Sequence, residues 1–204
     1  MNEIGLQLYT NKESRGVVVE WLLIELGIEC ERVEVEYHTS MKSPEYLKLN
    51  PFGKVPVLID EHVVIYELAA ICAYLADKFP EKNLAPALGD PKRGLYYRWL
   101  FFISGPWEAL ATDQMRNIQV QPEQKMFMSY GDETDAYQAL IQGLTQANPY
   151  LCGKQFTVAD ICVGAMLLWQ QKMGQLRADP AIDQYLMTIR QRESLQRSNA
   201  IFAS

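Results

Sequence analysis

The residues from Asn50 to Leu58, Asn-Pro-Phe-Gly-Lys-Val-Pro-Val-Leu, carry the most legible chemistry of this chain. A turn-forming Asn-Pro-x-Gly runs into Val-Pro, and Val57-Leu58-Ile59 follows with the look of a buried strand. Proline cannot donate to a strand ladder, so Pro56 marks a special turn just ahead of that strand. X-Pro is the bond type in which cis costs little, about 0.5–1 kcal/mol, and a cis Val55-Pro56 bond would turn the Val55 N–H and C=O outward. Those two groups would pair with an extended peptide as a short added strand. The other reading is a tight loop that binds nothing. A second polar group lies early in the chain, where Tyr9, Thr10, Asn11 and Ser14 stand between a strand-like run and a helical one. Ser14 has the type and place of a helix N-cap. Glu67 stands at another helix start, where an acid suits the helix dipole.

The elements that position these residues follow from pattern. Leu6-Gln7-Leu8-Tyr9 alternates like a short strand, and Arg15 to Gly27 reads as a helix closed by glycine. Cys30 to Tyr37 is a second strand candidate. Val57-Leu58-Ile59 and Val63-Val64-Ile65 flank an acidic turn, and a helix is predicted from about Glu67 to Phe79. Pro80, Pro86, Gly89, Asp90 and Pro91 then cluster in a polar stretch, a linker signature. Beyond it the pattern is helical throughout. Asp90 and Pro91 suit a helix start, Tyr96, Trp99, Leu100 and Ile103 recur at helical spacing, and Gly105-Pro106 should break that helix. A further helix is predicted from about Asp132 to Asn148. The most apolar helix, Ile161 to about Met173, opens on Thr157-Val158-Ala159-Asp160, a capping box with Asp in place of Glu, and Phe156 and Ile161 take the staple positions. The domains expected are 1–80, a linker over 81–90, and an all-helical 91–204.

Bulk properties narrow the function. With 204 residues there is ample core for one large or two small domains. The 19 basic and 25 acidic residues give −6, which disfavours nucleic acid as a partner. No apolar run reaches membrane-spanning length, so no membrane partner is expected, and the start of the chain lacks the features of a signal peptide. The four cysteines, Cys30, Cys72, Cys152 and Cys162, are scattered without a C-x-x-C pair, and only His38 and His62 are present, so neither a metal nor a dithiol centre is expected. A cytoplasmic, thiol-reduced setting fits.

The order β-α-β, Val-Pro turn, β-β-α resembles the thioredoxin-like domain of cytosolic glutathione S-transferases, and Asn-Pro-Phe-Gly-Lys-Val-Pro-Val-Leu matches their loop before the third strand. Phe156-Thr157-Val158-Ala159-Asp160-Ile161 matches a segment shared in the family's all-helical domain, where it serves folding. Leu8-Tyr9-Thr10-Asn11-x-x-Ser14-Arg15-Gly16 and Gly105-Pro106-Trp107-Glu108 look most like a bacterial branch with a serine-type active site. The resemblance implies an α/β thioredoxin-like N-terminal domain followed by an all-α domain. It also implies glutathione as co-substrate, a small hydrophobic electrophile as acceptor, and a homodimer.

What the resemblance implies for single residues can be stated position by position. Thiolate is the nucleophile, and a free thiol near pKa 8.5 is little ionised at pH 7. Ser14 would donate its hydroxyl to the sulfur, with Asn11, Thr10 and Tyr9 as alternatives, while the plain N-cap reading of Ser14 stays open. No cysteine stands in this loop, which argues against a mixed disulfide with the protein. Val55, beside Pro56, would pair with the tripeptide's cysteinyl backbone. Glu67 would accept from the γ-glutamyl ammonium. Leu68 stands where the family has serine, a lost contact of about 1 kcal/mol. Lys54 and Lys42, with His38 behind them, are candidates for the glycine carboxylate. Phe101, Phe102, Trp107 and Trp169 are candidates for the acceptor pocket. Two alternatives accompany transfer: a glutathione-dependent reductase of disulfides or peroxides, using Thr10 and Asn11, and a non-catalytic binding module.

Overall fold

The computed structural model describes residues 5–198. Its described residues fall into two compact units, 5–82 with 190–198, and 83–189. The first holds β1 (Gln7–Thr10), α1 (Gly16–Leu26), β2 (Glu31–Glu34), α2 (Pro44–Leu49), β3 (Val57–Asp60), β4 (Val63–Tyr66) and α3 (Leu68–Lys78). The sheet order is β2-β1-β3-β4; β2 is parallel to β1, β3 antiparallel to β1, and β4 antiparallel to β3. This is the thioredoxin-like arrangement expected. α1 is the crossover between parallel strands, and it is apolar on almost every side because it packs between the sheet and its neighbouring helices. Val19, Trp21, Leu22 and Leu26 are fully buried, as are Leu8 of β1 and Leu58 of β3. Gly27 ends α1 at φ 66°, and its N–H reaches the carbonyls of Leu23 and Ile24 at 3.0 and 3.1 Å, the glycine stop that its type allows.

The second unit holds α4 (Lys92–Ser104), α5 (Pro106–Met115), α6 (Glu133–Thr145), α7 (Val158–Lys172) and most of α8 (Pro180–Arg190). The break expected at Gly105-Pro106 is present, with Pro106 in the first turn of α5. α7 is buried along most of its length, and α4 packs against it. At its start the Thr157 N–H donates to Asp160 Oδ2 at 3.0 Å, closing the capping box.

Two boundaries differ from the sequence reading. The stretch read as a linker is docked on the helical unit from Asn83 onward. Leu84 is buried, its carbonyl accepts the Val158 N–H at 2.9 Å, and Arg93 holds the Pro86 carbonyl at 2.8 Å. The last described segment, with α9 (Glu193–Arg197), groups with the first unit and not with the helices before it. Its Ser194 accepts the Trp21 indole N–H at 2.9 Å, and Arg192 pairs with Glu25. No helix among the described residues is long and apolar enough to cross a membrane.

Candidate active site

Strand register gathers the polar residues at one end of the sheet. Tyr9 faces Val57 across β1 and β3, and Val57 faces Tyr66 across β3 and β4. Thr10 and Asn11 leave β1 at this end, Val55 and Pro56 enter β3 there, and Glu67 and Leu68 follow β4 there. Asn11 also ties in β2, because its Nδ2 donates to the Val35 carbonyl at 3.0 Å.

The loop before β3 is held by side chains. Asn50 Oδ1 accepts the Phe52 N–H at 3.0 Å, and Asn50 Nδ2 donates to the Lys54 carbonyl at 2.9 Å. The Tyr46 hydroxyl donates to that same carbonyl at 2.7 Å, and burial, then nearby Tyr9, pushes its pKa up. Lys42 Nζ donates to the Phe52 and Gly53 carbonyls at 2.9 and 2.8 Å. Lys42, expected to await a carboxylate, is thus engaged as a clip for the loop. Lys54 stands exposed, with no partner for its ammonium among the described residues. The Val55-Pro56 bond is cis. Val55 is half-buried, and its N–H and C=O have no hydrogen-bond partner among the described residues.

Glu67 lies at φ 75°, ψ 116°, a backbone state that non-glycine residues seldom adopt and that costs on the order of 1–3 kcal/mol. Its carboxylate is exposed and has no partner among the described residues. The first turn of α3, from Leu68, follows with the unpaired N–H groups of any helix start.

At the other side of the sheet end, Ser14 is half-buried at the entry to α1. Its hydroxyl donates to the Asn11 carbonyl at 2.6 Å and accepts the Gly16 N–H at 2.9 Å. The N-cap of α1 is Arg15, which makes no side-chain cap, so Ser14 sits one residue before the cap position and holds the Gly16 N–H from there. The Asn11 carbonyl also accepts the Ser14 N–H at 3.0 Å, so it keeps a partner when the hydroxyl turns away. Asn11 is buried, and both ends of its amide are engaged, since Oδ1 also takes the Glu13 N–H at 2.9 Å. Thr10 is buried, and its hydroxyl has no hydrogen-bond partner among the described residues. All four cysteines are buried thiols outside any disulfide; burial first of all raises the Cys30 and Cys152 thiols to about 11. His38 and His62 are exposed. In the helical unit Phe101 is 72 % exposed, whereas Trp107 is fully buried and donates its indole N–H to Gln170 at 2.7 Å. Trp107 is therefore core and not pocket wall.

Sequence reading missed Tyr46, Asn50 and Gly16. Asn50 was open to it, because Asx side chains cap turns of the Asn-Pro-x-Gly kind. Tyr46 carried no local signal.

One end of the thioredoxin-like sheet thus brings together an unpaired peptide edge, an exposed acid and two helix starts. The family model described as the N-terminal domain of glutathione S-transferase matches residues 5–77. Glutathione S-transferase 3 of Zea mays is 31% identical over 169 residues, which cover 76% of this chain and 73% of that protein. A solved glutathione transferase from Methylococcus capsulatus superposes with a TM-score of 0.75 at 27% identity, over 95% of this chain and 96% of the other. The stringent starvation protein A homolog of Haemophilus ducreyi is 26% identical over 184 residues, 88% of this chain and 82% of that protein. The chain belongs to the glutathione S-transferase family.

Proposed function

We propose that this protein is a glutathione transferase that adds the glutathione thiolate to a small hydrophobic electrophile. The observation that carries the reading is Glu67, an unpaired acid held in a strained backbone state at the end of the sheet where Val55 presents its free peptide group. In this reading Val55 pairs with the cysteinyl backbone, and Glu67 accepts the γ-glutamyl ammonium. The start of α3 receives the α-carboxylate through free N–H groups, and exposed Lys54 meets the glycine carboxylate. Ser14 turns its hydroxyl from the Asn11 carbonyl to the sulfur, and the N-terminal end of α1 favours the thiolate. The thiol proton leaves to solvent, and the thiolate attacks the acceptor.

Titration calorimetry with glutathione tests the reading. Glu67→Gln removes the charge while keeping the shape and should weaken binding roughly tenfold, the range of one charge-assisted hydrogen bond. Unchanged affinity would remove Glu67 from the site.

A second reading, a binding module without turnover, is favoured by Leu68, which offers no hydroxyl, and by the starvation-protein relative, whose name is not that of an enzyme. Turnover of an aromatic halide with glutathione separates the two. The reductase alternative needs Thr10 or Asn11 at the sulfur, and both side chains are buried.

The reading extends to a cytoplasmic homodimer. Phe52 is 63 % exposed on an otherwise polar turn, in a T-shaped pair with Tyr66 at 6.4 Å between ring centroids. Such an aromatic is the type of residue that anchors an interface, and a two-fold dimer would use it twice. Sedimentation of Phe52→Ala should show monomers at concentrations where the unsubstituted protein is dimeric. A dimer that ignores the substitution rules out the anchor, and a wild-type monomer at micromolar concentration rules out the dimer.

A further inference from the structure

We propose that Thr10 is a positioning residue for the thiolate: its buried hydroxyl donates to Ser14 Oγ and so orients the Ser14 proton toward the glutathione sulfur. The inference rests on the glutathione reading of the site and deepens it.

Three observations meet at this point. The Thr10 hydroxyl is a buried polar group without a partner, a state that costs on the order of 1–3 kcal/mol. Such a group calls for an explanation in the working state of the protein. Ser14 Oγ, as a hydroxyl, has one donor and two acceptor positions. It gives its proton to Asn11 and takes one N–H from Gly16, so one acceptor position is open. Finally, both oxygens border the space beside Gly16, without a hydrogen bond between them in this state. A Cβ on that residue would lie 2.0 Å from Thr10 Oγ1 and 3.0 Å from Ser14 Oγ. Glycine is what lets the hydroxyls share this space, and any side chain there would push them apart.

The geometry also assigns direction. Thr10 Oγ1 is shut off from solvent, whereas Ser14 is half-exposed, so a ligand sulfur meets Ser14 and not Thr10. When Ser14 turns from the Asn11 carbonyl, that carbonyl keeps the Ser14 N–H. The serine would then donate to sulfur and accept from Thr10. Hydrogen bonds in series polarise one another, so a donor behind the serine strengthens its bond to the anion. No proton has to cross the pair; both hydroxyls keep their own, and the thiol proton goes to solvent.

The test is the pKa of protein-bound glutathione, read by ultraviolet titration of the thiolate, in Thr10→Val, Thr10→Ser, Ser14→Ala and the double variant Thr10→Val/Ser14→Ala. Thermal melts confirm that each is folded. Thr10→Val should raise the bound thiol's pKa by about half a unit to one unit and lower kcat about three- to tenfold, the weight of one ordinary hydrogen bond, with KM for glutathione unchanged. Thr10→Ser should restore both. The double variant should match Ser14→Ala alone, because Thr10 acts only through the serine. A Thr10→Val pKa equal to wild type, with Ser14→Ala still raised, overturns the relay and leaves Ser14 in place. Effects that add in the double variant overturn it in favour of direct action by Thr10. If neither single variant moves the pKa, or the unsubstituted protein shows no bound thiolate, the relay and the proposed role of Ser14 fail together.

Discussion

Replacing Asp160 by Ala is expected to lower stability by roughly 4 kcal/mol at pH 7, from the buried donors left without an acceptor, and the melting temperature by about 10 °C for a chain of this size. Asp160 is completely buried at the start of α7 and gathers donors from three directions. Its Oδ1 accepts the Leu151 N–H at 2.9 Å and the Tyr185 hydroxyl at 3.2 Å. Its Oδ2 accepts the N–H and the hydroxyl of Thr157, each at 3.0 Å. Alanine strands two backbone N–H groups that cannot turn elsewhere. A loss below about 1 kcal/mol, the value of an ordinary cap, would show that these donors find other partners.

The same carboxyl has a pH signature. Burial raises its pKa from the ordinary 3.8 to about 6, against the lowering effect of the Leu151, Thr157 and Tyr185 hydrogen bonds. The folded state then holds the proton more tightly than the unfolded one. The stabilisation from this group is complete below about pH 4 and is lost as pH rises through 6. Its span, about two pKa units, is worth roughly 3 kcal/mol. The groups facing Asp160 do not confuse the readout: Tyr185 is pushed well above its ordinary value, and Cys152 to about 11, both by burial first and then by Asp160 itself. Asp60 works in the opposite sense. Burial raises it, but the hydrogen bonds from Lys78 and Tyr74 outweigh that and lower its pKa. It is common to wild type and variant and cancels in their difference. The stability gap between wild type and Asp160→Ala should therefore widen from pH 7 to pH 4. A gap that is flat over that range would mean Asp160 titrates as an ordinary carboxyl.

The parts of this fold that could be read in advance are those whose cause is local. Pro56 lacks a donor whatever surrounds it, Gly27 adopts φ 66° at no steric cost, and Thr157 with Asp160 closes a cap within a few residues. The α2 helix had its start signal in Ser43-Pro44-Glu45, and Ser43 indeed accepts the Tyr46 N–H at 3.2 Å, but six residues are too few to show helical periodicity. The docking of residues 83–86 depends on Arg93 and on α7, so composition could only suggest a linker. The return of residues 190–198 to the first unit rests on Trp21 and Ser194, which are far apart in sequence. At the sheet end, the cis turn at Val55-Pro56 and the helix start after Glu67 were legible, because both causes are local. Lys42 was not, because the carbonyls it holds belong to a loop ten residues on. The crowding at Gly16 was not legible either, because Thr10 and Ser14, whose oxygens a Cβ there would meet, come from the strand end and the loop before it.

Ser14→Ala is expected to slow conjugation by about 10²–10³, the usual effect of losing one well-placed donor to a developing or resident anion. Glutathione affinity should stay nearly unchanged, because Val55, Glu67 and Lys54 hold the rest of the tripeptide in the proposed site. The substitution has a structural consequence as well. The Gly16 N–H loses its acceptor, which should cost about 1 kcal/mol of stability as one lost hydrogen bond. The two roles separate in the pH profile. A serine that only holds the Gly16 N–H would change the melting temperature and leave the pH dependence of kcat/KM where it was. A serine that faces sulfur would move the rising limb of that profile to higher pH, as the bound thiol returns toward its free value. Ser14→Thr keeps the hydroxyl and should recover most of the rate. Full activity in Ser14→Ala, with loss in Asn11 or Thr10 variants, would instead place the sulfur against the end of β1 and remove the serine from the chemistry.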